Sequence, residues 1–250
     1  MEGVSRRGFL IEAASTMLAY SLLELCRPGR ALAAPDAAFA RWVARVQRLS
    51  TDVMDGQATT HAWRRRMPRL THHVPLGALR RAVDLAAAAP RLRALVDPEP
   101  QERPTLPLPS GLEGVTFTAI LTYVREGFAV VPHGHHNMVS MHVVLDGALR
   151  LRQYDRVRDE PGSLVIRPVV DRVCHPGDTT AISADLGNVH WFQGLTGAYA
   201  LIVAAYDVDP GAGASRRDYV DPLGGEALPG GSIRAPIVTV DEARRRYLTF

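Results

Sequence analysis

His133-Gly134-His135 and, further along, His190 are the side chains of this chain best placed to do chemistry. In an extended strand, side chains two apart share a face, so His133 and His135 can chelate one ion together, with Gly134 leaving room between them. A third imidazole from His190 holds the ion on three sites and leaves its other positions open, the arrangement that separates a catalytic metal from a structural one. Metal sites of this kind often take a carboxylate near position 140, but that place holds Ser140, and no Asp or Glu lies between His135 and Asp146. The predicted ligand set, His133, His135 and His190, is therefore three neutral imidazoles. His142 faces the same way as Ser140 and is either a further approach to the site or an interior histidine. His136 should point away from the pair, and His175 falls in a turn.

These histidines need a folded support, and the composition allows one. The chain has 250 residues, 46% of them hydrophobic, enough for one domain with extensions. Its formal charge is only +3, and its arginines are not interleaved with aromatics, so nucleic-acid binding is excluded as a function class. Ser5-Arg6-Arg7-Gly8-Phe9-Leu10 reads as a twin-arginine export signal, with Ala31-Leu32-Ala33 as a cleavage site. The alternative is a buried amphipathic helix that starts with two arginines. Residues 1–33 are thus expected to leave, with the export machinery as partner and a periplasmic or extracellular destination. The uncharged run from Glu12 to Glu24 falls short of the roughly 20 residues of a membrane span, so none is expected in the mature chain. Cys26 would leave with the signal, and Cys174 alone cannot form an internal disulfide.

Residues 34–97 read as a helical extension. Phe39, Val43, Val46 and Leu49 recur at helical spacing over Asp36–Leu49, with Asp36 as a cap. A second helix is expected over Leu76–Ala89, broken at Pro90 and resuming to Val96. His61, His72 and His73, between them, are expected in solvated loop. Residues 98–110 are a proline-rich linker. From Val115 the pattern changes to short apolar runs: Val115–Val124, Ala129–Val131, Val139–Leu145, Ala148–Tyr154, Ser163–Pro168, Thr179–Ser183, Val189–Gln193 and Ala198–Tyr206. Turns at Asp146-Gly147, Pro161-Gly162 and Pro176-Gly177-Asp178 separate them. About eight short strands spaced this way indicate a mainly β jelly-roll barrel over 111–210. Residues 211–250 read as a tail with a short closing helix over Asp241–Tyr247.

Gly127, His133-x-His135 and Gly147, followed by Gly187-x-x-His190, resemble the two motifs of the cupin superfamily, which implies a double-stranded β-helix with histidine ligands from both motifs. Within it the chain is similar to the thiol dioxygenases that include plant cysteine oxidases and cysteamine (2-aminoethanethiol) dioxygenase, over about Val115 to Tyr219. The likeness rests on His133-x-His135-x-x-Met138 with Gly147, Tyr154-Asp155, Gly187-Asn188-Val189-His190-Trp191-Phe192, and Tyr206-Asp207-Val208-Asp209-Pro210 with Arg217 and Tyr219. The chain departs from that family at His135-His136-Asn137, where it has His-Pro-Gly, and at Ala204-Ala205, where it has prolines. Both segments border the substrate mouth.

The resemblance implies one Fe(II) ion, with a small-molecule or peptide thiol and O2 as substrates. Three neutral ligands leave the ion its full charge, so a thiolate binds directly with lowered pKa, and both oxygen atoms can go to sulfur to give a sulfinate. Ligand softness also admits copper, nickel or zinc. Asp207 or Asp209 are candidate acceptors for a ligand N–H, and Tyr154 or Tyr206 candidate partners of the bound thiol. Trp191 and Phe192 are site walls or barrel core, and Arg150, Arg152 and Arg167 either pair a substrate carboxylate or line a solvated strand face. Two other functions stay open: a metal-binding cupin acting on a non-thiol substrate, and a non-catalytic periplasmic metal- or ligand-binding protein.

Overall fold

A computed structural model describes residues 37–96, 105–107 and 116–250. The export signal, Asp36 as cap and most of the proline-rich linker lie outside the described residues.

Among the described residues, four helices come first: α1 (Ala37–Met54), α2 (Thr60–His72), α3 (Leu76–Ala82) and α4 (Leu85–Val96). The expected helix over 76–89 is two, parted at Val83-Asp84 where Asp84 takes φ 43°, and Pro90 lies inside α4. The segment expected as loop around His61 and His72 is instead α2, and this corrects the sequence reading. Thr59 caps it by accepting from the Ala62 N–H at 3.1 Å, and Trp63 and Met67, one turn apart, are fully buried.

Twelve strands follow: β1 (Thr105–Pro107), β2 (Thr118–Val124), β3 (Ala129–His136), β4 (Met138–Asp146), β5 (Leu149–Glu160), β6 (Ser163–Cys174), β7 (Thr179–Ile182), β8 (Val189–Gly194), β9 (Ala198–Tyr206), β10 (Arg216–Val220), β11 (Glu226–Ala227) and β12 (Ile233–Val238), then helix α5 (Val240–Tyr247). They form two antiparallel sheets, ordered β1-β2-β9-β4-β7 and β10-β3-β8-β5-β6-β12-β11. β10 also pairs with β12, so the second sheet closes on itself. This is the mainly β double-stranded β-helix, with an N-terminal helical part, that the cupin resemblance implies. The region beyond 211 is not a tail: β10 pairs with β3 and β12 with β6. Thr105–Pro107, within the expected linker, pairs with β2.

Alternation along the strands decides which side chains meet. On β4, Val139, Met141, Val143 and Leu145 share one buried cluster with Trp42, Val46, Trp63, Met67 and Leu79 of the helices. The helical part therefore covers the outer face of the first sheet. Each such large buried side chain contributes about 1.5–3 kcal/mol. The opposite face of β4 carries Ser140, His142 and Val144 into the barrel, where Val144 meets Val130, Leu151 and Phe192.

Candidate metal centre

Val130 and His133 are three residues apart yet both face the barrel interior. The register of β3 against β8 shifts between Val130, opposite Phe192, and His133, opposite His190. The extra residue is a β-bulge at Val131-Pro132, which re-aims the strand and suits a residue that has no N–H to give. His133 and His135 then project inward two apart, and His190 joins them from the neighbouring strand.

The three ligand nitrogens lie within 4.8 Å of one another. Ring centroids are 4.4 Å apart for His133–His190, 4.7 Å for His133–His135 and 5.2 Å for His135–His190. His133 is 2% exposed, His135 5% and His190 1%. His133 Nδ1 faces the Val131 carbonyl at 2.8 Å and His190 Nδ1 the Asn188 carbonyl at 3.3 Å. With both Nδ1–H groups so engaged, Nε2 is the atom turned toward a metal. Three buried imidazoles with converging nitrogens and fixed rings fit a divalent cation, and no carboxylate belongs to the cluster among the described residues.

The orientation of His135 comes from Asn188. Its side-chain amide donates to the His135 carbonyl at 2.8 Å and the Ser183 carbonyl at 2.9 Å, and its Oδ1 accepts from the His135 N–H at 3.1 Å. Gly187, at φ 60°, donates its N–H to Asp155 at 2.8 Å, which fixes the turn before Asn188. Gly134 leaves its space to this clamp rather than to the metal.

Inside the barrel, His142 is 6% exposed, with its ring 5.4 Å from His190 and 4.9 Å from Phe192. Ser140, 2% exposed, occupies the same face. Tyr206 pairs with Met138 at the end of β9, so it shares the inner-face parity of Ala204 and Ser140. Three further neighbours surround the cluster: Asn188 and Tyr219, which the sequence reading uses only as part of the family likeness, and Gln153, which it does not name. Gln153 lies opposite His190 on β5, and Tyr219 opposite His133 on β10, its ring 6.0 Å from that histidine. Cross-strand register brings Gln153 and Tyr219 to the histidines, and β10 belonged to the supposed tail.

Other expected site residues lie elsewhere. Tyr154 follows Gln153 on β5 and faces the other way, packed with Leu164, Ile166, Val189, Val220 and Ala235; burial pushes its hydroxyl pKa up. The Asp207 carboxylate accepts from the Ser215 N–H at 2.7 Å, and Asp209 caps a short turn through the Gly211 N–H at 2.8 Å. For His133 and His190 the ring acceptors are instead the backbone carbonyls of Val131 and Asn188. Trp191 faces outward against Tyr247, at 5.0 Å between rings, while Phe192 is interior. Arg150 pairs with Asp171 at 2.7 Å and Arg167 with Asp155 at 3.2 Å, and Arg152 lies over Trp191 at 4.3 Å, so these arginines serve the outer strand face. His136 points away from the cluster, to Asp218 and Arg156. His61 pairs with Asp185 at 2.6 Å on the surface. Cys174 is buried with its thiol pKa raised by desolvation.

No family model and no curated protein matches this chain. Solved structures similar to it include procruciferin, the 11S globulin of Brassica napus, at 14% identity and a TM-score of 0.31. An 11S globulin from Wrightia tinctoria, with an auxin binding site, aligns at 18% identity and the same TM-score of 0.31. Each alignment covers 42% of this chain and only 22% of the globulin chain.

Proposed function

We propose that the protein is an exported, Fe(II)-dependent thiol dioxygenase, which adds both atoms of O2 to a thiol sulfur to give a sulfinate. The observation that carries this reading is the buried cluster of three imidazoles with Ser140, not a carboxylate, on the facing strand. When bound, Fe(II) supplies open positions where a thiolate and O2 meet, and its charge lowers the thiol pKa. In the overall change R–SH and O2 become R–SO2− and H+, with sulfur giving up four electrons to dioxygen.

The chain's own contribution is positional and electrostatic. His133 and His190 are held by carbonyls of their own strands, and Asn188 ties the His135 backbone across to β8. Val130, Val144 and Phe192 belong to a buried apolar cluster inside the barrel, and in this reading they bound the apolar side of the site. Ser140 leaves the site without negative charge, which favours an anionic ligand over a neutral one. Tyr206 shares that face by strand parity, nearer the strand end, and in this reading its hydroxyl donates a hydrogen bond to a substrate heteroatom.

Anaerobic loading with Fe(II), then oxygen with cysteine, cysteamine or a peptide bearing N-terminal cysteine, tests the proposal. Oxygen uptake with a product heavier by two oxygens is expected. No uptake across a broad thiol panel would remove it. A second reading has its own observation: His142 lies 5.4 Å from His190, and a fourth imidazole would close the coordination shell of a non-catalytic binding protein. In that case thiols leave the spectrum of a bound cobalt or iron ion unchanged, and His142→Ala weakens metal binding as His190→Ala does.

A further inference from the structure

Residues 37–73 hold seven arginines against two aspartates, a local surplus larger than the +3 of the whole chain. On α1, Arg41, Arg45 and Arg48 recur at helical spacing along one exposed face, and on α2 Arg66 and Arg69 do the same. Between the two helices runs a groove of about 280 Å3. Its floor is Leu49 and Leu70, its walls are Arg45, Arg48, Arg66 and Arg69, and Asp52 is the one acid in it. All four wall arginines are exposed, and among the described residues none of them forms an ion pair. On the second sheet, Arg150 is matched by Asp171, Arg158 by Glu160, Arg167 by Asp155 and Arg234 by Glu160. On α1 and α2, by contrast, four exposed arginines line one apolar slot together.

We propose that this groove is a docking site for an acidic amphipathic helix of a partner protein. An aliphatic side chain of that helix enters the slot over Leu49 and Leu70. Carboxylates one turn to either side of it meet the two arginine rows, whose members are themselves about one turn apart. Guanidinium groups take carboxylates in pairs of parallel hydrogen bonds, and a patch of one sign speeds the encounter. A membrane surface fits less well. The large exposed hydrophobic side chains, such as Leu95, Val157 and Leu223, all lie outside α1 and α2, so this face has nothing to insert among acyl chains. The groove is on the helical layer, outside the barrel, and the inference does not depend on the metal or on the proposed reaction.

The test uses the full chain and a fluorescent synthetic helix carrying glutamates one turn either side of a central leucine. Saturable binding that weakens with added salt is expected, read by fluorescence anisotropy. Arg45→Glu with Arg48→Glu, and separately Arg66→Glu with Arg69→Glu, should each weaken it by at least about tenfold. Arg158→Glu with Arg167→Glu makes the same change in net charge on the other sheet and should leave binding within about twofold. Unchanged thermal unfolding of the groove variants shows that they fold. The inference is overturned by any of three results: no binding, equal loss in the Arg158/Arg167 variant, or binding to phosphatidylglycerol vesicles or an oligonucleotide but not to the peptide.

Discussion

A methyl group on residue 134 would lie 2.8 Å from Asn188 Oδ1 and 3.0 Å from Val189 Cγ2. The first contact is too short for any Cβ, so Gly134→Ala must push back the side chain that ties His135 to β8. Groups that orient a ligand typically change metal affinity 10–100-fold when lost. Gly134→Ala is therefore expected to keep the fold yet bind divalent metal about 10–100 times more weakly, by titration with Co(II) or Zn(II). His190→Ala removes a ligand outright and should abolish stoichiometric binding; retention of one tightly bound ion in that variant would disprove the three-histidine site. The ligands were legible because residue type and a two-residue spacing on an apolar strand are local properties. Asn188 was visible only as a motif letter, since its work is across strands. Tyr154 was misassigned because it stands one residue past Gln153, and one residue is the difference between barrel interior and exterior.

The loop from Asp207 to Ser215 runs from the end of β9 in one sheet to the start of β10 in the other, across the barrel end that carries His135 and Tyr206. Asn137, in the tight link between β3 and β4, holds it. Its Oδ1 accepts from the Asp209 N–H at 2.7 Å, its amide donates to the Asp209 carbonyl at 2.9 Å, and its carbonyl accepts from the Ser215 hydroxyl at 2.7 Å. Asn137 sits at φ 51°, which asparagine tolerates better than most residues. Asn137→Gly keeps that backbone and removes the side-chain ties, so amides of 208–214 should exchange faster while those of β4 and β8 keep their protection. Unchanged exchange would mean the loop is held by something else. Trp63→Ala tests the helical layer: Trp63 is fully buried and donates to the Ser50 hydroxyl at 3.3 Å, and its loss should cost about 3–5 kcal/mol by urea unfolding. Strand periodicity and turn residues made β2 to β9 readable from sequence. α2 was not, because four arginines and Pro68 hide a short apolar stripe of Trp63, Met67 and Leu70 that matters only against its packing partners. β10 and β12 were lost among glycines and prolines, since their pairing partners lie far away in sequence.

At the scale of the molecule, pH acts through one clamp that ties the C-terminus to the barrel. Asp221, 2% exposed at the end of β10, accepts from the Tyr247 hydroxyl, from Arg246 and, at 2.9 Å, from the Gly224 N–H. Burial works against its charge, but the Tyr247, Gly224 and Arg246 contacts outweigh burial and hold its pKa below the ordinary aspartate value. Its folded pKa is therefore lower than the unfolded one, and its contribution is present above about pH 4 and lost as pH falls through the folded value. Tyr247 is shifted the other way, by burial first and then by its hydrogen bond to Asp221. With the folded pKa raised, its contribution is complete below the ordinary tyrosine value near pH ~10 and lost as pH climbs beyond it. The ring of Tyr247 also backs Trp191 on β8, so loosening of α5 is felt behind the strand that carries His190. Urea stability should thus be flat from about pH 5 to 9 and fall on both sides. Asp221→Asn should shallow the acid limb and leave the alkaline one, apart from an overall loss of stability. Tyr247→Phe should shallow the alkaline limb instead. If both variants run parallel to the wild type at every pH, the clamp is not what titrates, and the acid limb belongs to other arginine-paired carboxylates such as Asp159 and Asp171, whose pKa values are also held low.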